Sequence, residues 1–470
     1  MSETISTENI NIKKRAASRK LYQLIIRWHF FLGIIFIPLI IVISISGCIY
    51  LFEDEYENLV YDDLFFVEPG ESRLPASRLL DTVKSAYPDM KASGMTVYSE
   101  PGRSVEVVLK EQHQRTSLKT SMEWAGDGPE KVPVVMNRER TRVYVNPYTG
   151  EILGTVKNSE RLMAIMKDLH GNLLTGKFGT KFVELTSSWV MVLMTTGLIM
   201  WWPRGKTGIM GTLLPRLKTN KRLFWRDLHA VPAFYFAFFI IFLVISGLPW
   251  TDVWGGVFHK IQRELKMSAP AGFHSRELKS NYIPGAQQVS IDRVILAALQ
   301  AGYEGELNVK IPRNKHDTYA VQRNSDDPAQ RPSMHIDQYS GQVIAKTDWN
   351  TVPVLAKAVS YGIKLHRGEY FGVWNLILVL VTTLVLIFMS VSGIIMWLQR
   401  KPKGKLGAPK YPKDYQVPGW VIGTIIFYAL FMPLLGASLV AFMLGDELIR
   451  LGKKYLMTKK DNSMPMKNLS

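Results

Sequence analysis

Along the 470-residue chain, apolar positions gather into five runs free of Asp, Glu, Lys and Arg: 30–51, 185–202, 230–250, 370–398 and 417–445. Even the shortest would reach about 27 Å as a helix rising about 1.5 Å per residue, close to the ~30 Å hydrocarbon core of a bilayer. Each run is therefore predicted to span a membrane. The polar stretches between them carry other periods. Residues 77–87 place Leu79, Leu80 and Val83 on one helical face, and 104–110 alternate as a strand does. Residues 142–156 read as strand, turn and strand, with Pro147 and Gly150 in the turn, and 334–345 repeat that pattern.

The spans repeat as well. R-W-H-F with His29 leads to I-S-G-C, and much later R-D-L-H-A with His229 leads to I-S-G-L. The interval from histidine to glycine, His29 to Gly47 and His229 to Gly247, is the same in both copies. L-H-G-N with His170 leads to T-G-L-I-M-W, and L-H-R-G with His366 leads to S-G-I-I-M-W. There a second, longer interval is shared, from His170 to Gly197 and from His366 to Gly393. Four spans headed by four histidines thus form two matched pairs. An internal duplication of span, domain and span accounts for both kinds of repeat.

The expected fold class is an α-helical integral membrane protein carrying two α+β external domains, duplicated internally and followed by a fifth, C-terminal span. In order, the chain divides into a cytoplasmic tail (1–20), a first span (21–52), external domain 1 (53–165), a surface helix with the second span (166–202), and a basic cytoplasmic loop (203–227). A third span (228–251), external domain 2 (252–362), a fourth span (363–399), a cytoplasmic loop (400–416), a fifth span (417–445) and a basic tail (446–470) follow.

The net charge of +17 invites a nucleic-acid reading, but its distribution does not support one. Lys and Arg crowd the N-terminal segment (Lys13, Lys14, Arg15, Arg19, Lys20, Arg27) and the loops 203–227 and 399–416, which is the positive-inside pattern. It places the N-terminus in the cytoplasm and the two long inter-span segments outside. The tail is basic too (Lys453, Lys454, Lys459, Lys460, Lys467), although five crossings would leave it outside. Either the tail opposes the charge rule or the fifth run does not fully cross. The single cysteine, Cys48, excludes internal disulfides and covalent C-x-x-C-H haem attachment. Ile45-Ser46-Gly47-Cys48 looks like a lipoprotein cleavage box, but it lies too deep in an overlong apolar run, and the twin span has no cysteine; the first span reads as an uncleaved anchor.

The Y-V-N-P-Y-T-G-E-I-L-G hairpin and its later counterpart resemble PepSY domains, and the R-W-H, L-H-G, L-H and L-H-R spans with W-W-P-R after the second resemble the PepSY-associated transmembrane helix family. The resemblance covers about residues 20–400. It implies a bacterial inner-membrane, multi-pass protein of iron uptake with periplasmic PepSY-like domains, of the siderophore-iron reductase type.

Histidines in or near lipid-embedded helices are costly, and four at repeated spacing call for a function. The predicted topology puts His29 and His229 at the cytoplasmic edge and His170 and His366 at the external edge. That is one histidine from each repeat on each face, as two non-covalent b-type haems with bis-histidine iron ligation require. The preferred pairings are His29 with His229 and His170 with His366; pairing within a repeat would ask residues at opposite faces to meet. Arg27, Arg226 and Arg367 flank these histidines and are candidate partners for haem propionates, or interfacial residues that snorkel. The glycines admit either a flat macrocycle or a neighbouring helix. His170 lies well before the apolar run that opens at Leu185, so an amphipathic surface helix over 160–169 is expected to carry it. His113, His259, His274, His316 and His335 show no ligand spacing and are expected at the surface, His259 nearest the membrane.

No dinucleotide fingerprint, Walker A, H-E-x-x-H or G-x-S-x-G motif occurs, so no nicotinamide or flavin site is expected. The reading that follows is a di-haem electron-transfer protein, an oxidoreductase fed by membrane quinol or a separate cytoplasmic reductase. The resemblance adds reduction of a ferric siderophore at the periplasmic face, with Trp250, Trp254, Tyr370 and Trp374 as acceptor contacts or an interfacial belt. Partners are membrane lipid and a ferric chelate, not nucleic acid. The alternative is a membrane-anchored PepSY binding or regulatory module acting on peptidases, without redox activity. A transporter is disfavoured: Pro38 and Pro433 interrupt spans, but the runs hold no charge.

Overall fold

The computed structural model describes the backbone of residues 2–111, 139–203, 209–268, 278–405, 407, 409 and 417–462. His113, His274 and Lys467 lie outside these residues, as do the side chains of Lys13, Lys14, Arg15, Lys453, Lys454, Lys459 and Lys460. Two compact units result: Met1–Cys48, Asp168–Ile261 and Leu378–Ser470 make the first, and Ile49–Lys167 with Gln262–Ile377 the second. The elements in chain order are α1 (Ser2–Tyr50), α2 (Glu53–Val60), α3 (Asp62–Phe65), α4 (Ala76–Ala86), β1 (Met90–Tyr98), β2 (Val105–Glu111), β3 (Arg140–Val145), β4 (Ile152–Lys157), α5 (Leu162–Asn172), α6 (Lys177–Trp201), α7 (Lys221–Gly247), α8 (Val253–Glu264), α9 (Ile291–Gln300), β5 (Glu306–Lys310), β6 (Tyr319–Arg323), β7 (Ser333–Ile336), β8 (Val343–Lys346), α10 (Val354–His366), α11 (Val373–Arg400), α12 (Gly419–Phe431) and α13 (Pro433–Asn462).

In the second unit, eight strands form one antiparallel sheet in the order β4-β3-β2-β1-β5-β6-β7-β8. The predicted helix over 77–87, the strand over 104–110 and both strand-turn-strand segments are all present. The two external modules were expected as separate domains, and the structure corrects this: β1 pairs with β5, so each half-sheet closes the other's open edge. Register makes the joint core continuous. Val143, Val107, Met95, Val309, Val321 and Met334 align straight across six strands, each nearly or fully buried. Leu79, Leu80 and Val83 of α4 and Val294 and Ala298 of α9 complete that core. Side chains alternate across a strand, so the opposite face can be polar; there Arg142 pairs with Glu106 at 2.8 Å. Arg161, just before α5, forms a two-pronged ion pair with Glu57 of α2, both buried. Removing one partner of such a pair typically costs about 3–5 kcal/mol.

In the first unit, four helices are long and apolar enough to cross a membrane: Ser18–Tyr50, Lys177–Trp201, Lys221–Trp250 and Val373–Arg400. They pack through Phe36 and Ile40 of α1, Val190 and Met194 of α6, and Ala237 and Ile240 of α7, with Leu386 and Met389 of α11 against them. Large side chains such as Ile35, Phe238 and Leu384 face outward instead. That suits lipid and would be costly in water. The N-terminal stretch expected as a cytoplasmic tail is part of the α1 helix, and Pro38 does not end it. The second span begins at Lys177 rather than 185, so it contains Glu184, a buried carboxylate. Glu184 accepts from the amides of Val253 and Trp254 at 2.9 and 3.0 Å and so caps the start of α8. Asp227 likewise lies fully buried within α7. Both lie just outside the charge-free runs 185–202 and 230–250, in the parts of the helices that precede them.

The fifth apolar run is not one helix. It breaks at Met432, and Gly436 approaches Ala429 so closely that a Cβ would lie 2.7 Å from the Ala429 carbonyl oxygen. The chain bends there, leaving two short apolar stretches, α12 (Gly419–Phe431) and the first part of α13, Pro433–Gly445. Each reaches about 20 Å, short of the bilayer core. Met432 and Leu435 pack on Met191 and Leu248, and the indole of Trp254 donates to the Phe431 carbonyl at 2.9 Å.

Candidate functional site

His29 sits on α1 and His229 on α7, and the fold brings their rings to a centroid separation of 6.4 Å with an interplanar angle of 88°. Each is fixed through one ring nitrogen by a hydroxyl on a neighbouring span. His29 Nδ1 lies 2.9 Å from Thr196 Oγ1 on α6, and His229 Nδ1 lies 2.9 Å from Ser392 Oγ on α11. Those hydroxyls already spend their hydrogens on the helix backbone: Thr196 Oγ1 donates to the Val192 carbonyl at 2.7 Å, and Ser392 Oγ to the Met389 carbonyl at 3.0 Å. Toward the imidazoles they can only accept. That arrangement puts the proton of a neutral ring on Nδ1 and leaves the Nε2 lone pair for a ligand.

The glycine after each hydroxyl completes the seat. A Cβ on Gly197 would stand 3.4 Å from His29 Cε1, and one on Gly393 would stand 3.8 Å from His229 Cε1. The sequence paired each histidine with the glycine downstream of it; in space His29 and His229 meet the Thr-Gly or Ser-Gly of the other span in their own repeat. His170 obeys the same rule. Its Nδ1 lies 2.8 Å from the Ile43 carbonyl, so it too carries its proton there, and a Cβ on Gly47 would fall 2.7 Å from that Nδ1.

His29 and His229 line one cavity of about 1320 Å³. That exceeds the usual volume of small-molecule and cofactor sites, about 300–1,000 Å³. Small residues open it: Gly33 and Ala233, each one turn along from its histidine, with Ala230, Gly197 and Gly393. Trp201 stacks on Phe234 at 3.8 Å and 9° to make one flat wall. Among the described residues no three His, Cys, Asp or Glu side chains gather as a metal cluster. The cavity instead offers two imidazoles, the number of ligands left open on a metal already held in a macrocycle.

His170 lies on a separate helix before its span, as expected, whereas His366, expected within a span running from 363, does not. His170 lies near the end of α5, followed by left-handed Leu173 and Leu174 and then Gly176 before α6 starts. His366 ends α10, with Gly368 and Gly372 at positive φ before α11, so the fourth span does not run unbroken from 363. His170 belongs to the first unit and His366 to the second. Of the arginines singled out by sequence, Arg27 donates to the Pro409 carbonyl and lies 4.9 Å over the Phe31 ring. Arg226 borders the cavity, yet its guanidinium is paired with Asp227. Arg367 is paired with Glu53 and Glu369 and stands 5.5 Å over Tyr50. Trp254 is stacked on Phe258, and Tyr370 packs with Tyr361 and Phe371; Trp250 and Trp374 are exposed. His259 bonds the Pro249 carbonyl. His335, expected at the surface, is buried and bonded to Thr318. Thr196 and Ser392 were within reach of sequence reasoning, since each directly precedes a repeated glycine, but only the packing assigns them to histidines of other helices.

Compared with known proteins, the chain matches the family model of the PepSY-associated TM region over residues 26–400. No curated protein matches it.

Proposed function

The chain belongs to the PepSY-associated TM family and is a membrane protein, and from that premise we propose that it carries electrons across the membrane through two b-type haems to a ferric chelate. The observation that carries the proposal is the paired imidazoles. His29 and His229 would hold the haem iron through Nε2, and with metal–nitrogen bonds of about 2 Å their ring centroids would stand roughly 6 Å apart. His29 and His229 stand at 6.4 Å, share one tautomer, and border a cavity with a flat aromatic wall and small residues on its helices. Bound there, a b-type haem supplies reversible one-electron transfer between ferric and ferrous iron.

The protein's own residues do the rest. Thr196 and Ser392 hold the imidazoles against rotation and keep Nε2 unprotonated. The apolar packing of Phe36, Val190, Met194 and Ile240 keeps water from the membrane side of the site. His170, held by the Ile43 carbonyl over Gly47, is the corresponding ligand on the outer side, with His366 as its expected partner from the other repeat. Burial holds the His170 imidazole below the usual histidine pKa, the Ile43 bond pulling the other way, so the ring stays neutral and able to ligate. Electrons enter at the cytoplasmic face from quinol or a separate reductase. The family resemblance supplies the acceptor, a ferric siderophore at the outer face, where reduction to Fe(II) weakens the hold of hard oxygen ligands.

Haem content and visible spectrum of the purified protein test this. Two non-covalent haems per chain with split low-spin bands on reduction are expected. His29→Ala or His229→Ala should remove one haem, and His170→Ala or His366→Ala the other. A colourless protein with intact folding would overturn the reading in favour of a binding module.

A further inference from the structure

We infer that Arg19, Arg222 and Arg400 form a carboxylate-binding rim at the basic end of the histidine cavity and hold the haem propionates, an assignment that rests on the haem reading above. The three arginines come from three helices, α1, α7 and α11, and all line the cavity that His29 and His229 border. No ion pair among the described residues engages any of them. Arg400 Nε donates to the Met396 carbonyl at 3.3 Å, a neutral acceptor that leaves the charge unbalanced. Arg222 and Arg400 are near enough to feel each other's charge. All three side chains are exposed, so water screens their mutual repulsion, and an anion seated at the rim would be attracted by all three.

The acid closest in sequence cannot serve. Asp227 is fully buried, and its carboxylate is already shared by Arg216 at 2.7 Å and Arg226 at 2.6 Å. That sharing also removes Arg226 from the candidates, and Arg27 is not among the residues that line the cavity. Position along the helices agrees. Arg222 precedes His229, and Arg400 follows Gly393, by two helical turns, so each lies about 10 Å from its reference residue on the same helix face. That is comparable to the reach from the centre of a porphyrin to its propionate ends. Guanidinium forks suit carboxylates better than any other cationic side chain does.

The test titrates full-length haem-free protein with haem b and with its dimethyl ester, whose propionates carry no charge. It compares wild type, Arg222→Gln/Arg400→Gln and Arg222→Lys/Arg400→Lys. The relevant site is the titration step that is absent from His229→Ala. Wild type is expected to bind the free acid at least about tenfold more tightly than the ester there, as one charge-assisted contact would give. The Gln double variant should bind both forms about equally, and the Lys variant should keep part of the preference. The bis-imidazole spectrum of the bound ester checks that each variant is folded. Equal affinity for the two forms in wild type, with that spectrum intact, would overturn the rim while leaving the haem standing. Neither form giving a bis-imidazole spectrum would overturn the haem reading beneath it.

Discussion

Replacing Gly47 with alanine should cost the protein one haem. The added Cβ would stand 2.7 Å from His170 Nδ1 and 2.8 Å from Cε1, where ordinary contact needs about 3.5 Å. The ring must therefore retreat by about 0.8 Å. Its bond to Ile43 is 2.8 Å long, so a retreat of that size carries it past the ordinary limit of about 3.2 Å. Overpacking of this kind costs about 1–3 kcal/mol and the lost hydrogen bond about 1 kcal/mol. Together these amount to about 2–4 kcal/mol, or a roughly thirtyfold to several-hundredfold weaker outer haem site. Gly171→Ala is the control, because a Cβ there meets nothing within 4 Å although it adjoins His170. Titration of the haem-free protein should show the step lost in His170→Ala weakened in Gly47→Ala and unchanged in Gly171→Ala. Two haems bound with wild-type affinity in Gly47→Ala would refute the reasoning.

Thr196→Val keeps the shape of the residue but removes the oxygen that accepts from His29. The inner haem should remain, bound about tenfold more weakly and at a shifted midpoint potential; an unchanged potential would contradict the tautomer argument. His170 also gives a pH dependence. Its folded pKa is depressed, so below about pH 6.5 the unfolded chain takes up a proton that the folded one does not, and stability falls as pH drops. Thermal unfolding of haem-free protein at mildly alkaline and mildly acidic pH should therefore differ more for wild type than for His170→Asn, and equal losses would remove His170 as the cause. The bend at Met432 bears on the tail. If the run enters as Gly419–Phe431 and leaves as Pro433–Gly445, the basic tail would return to the face of the loop at 400–416. A C-terminal reporter should be active in the cytoplasm, and periplasmic activity would restore a fifth full crossing.

Much of this was legible in the sequence because lipid imposes a simple rule: long charge-free runs make helices, and four of the five are present as helices of spanning length. The strand-turn-strand segments were equally plain, since period-two alternation and turn residues are local signals. What the sequence hid was non-local. Nothing in 90–98 or 306–310 announces that the two modules share a sheet, because the pairing of β1 with β5 joins segments from opposite halves of the chain. The histidine repeats identified the ligand candidates, but the partners of Nδ1 come from other helices, which spacing along one helix cannot reveal. Charged residues misled for a similar reason. Arg27, Arg226 and Arg367 lie close to the histidines in sequence, yet each is engaged by another partner. Arg222 and Arg400, two turns from the histidine or its glycine, line the cavity without an ion pair among the described residues.

Low-temperature electron paramagnetic resonance of the oxidised protein tests the central claim most directly. Two imidazole ligands whose planes cross near a right angle would give ferric haem a highly anisotropic low-spin signal, whereas parallel planes would give a rhombic one. The 88° between His29 and His229 predicts the anisotropic form for the inner haem, and His229→Ala should abolish it while the outer haem's signal persists. A wild-type spectrum without that signal, or one that survives the loss of His229, would contradict the account.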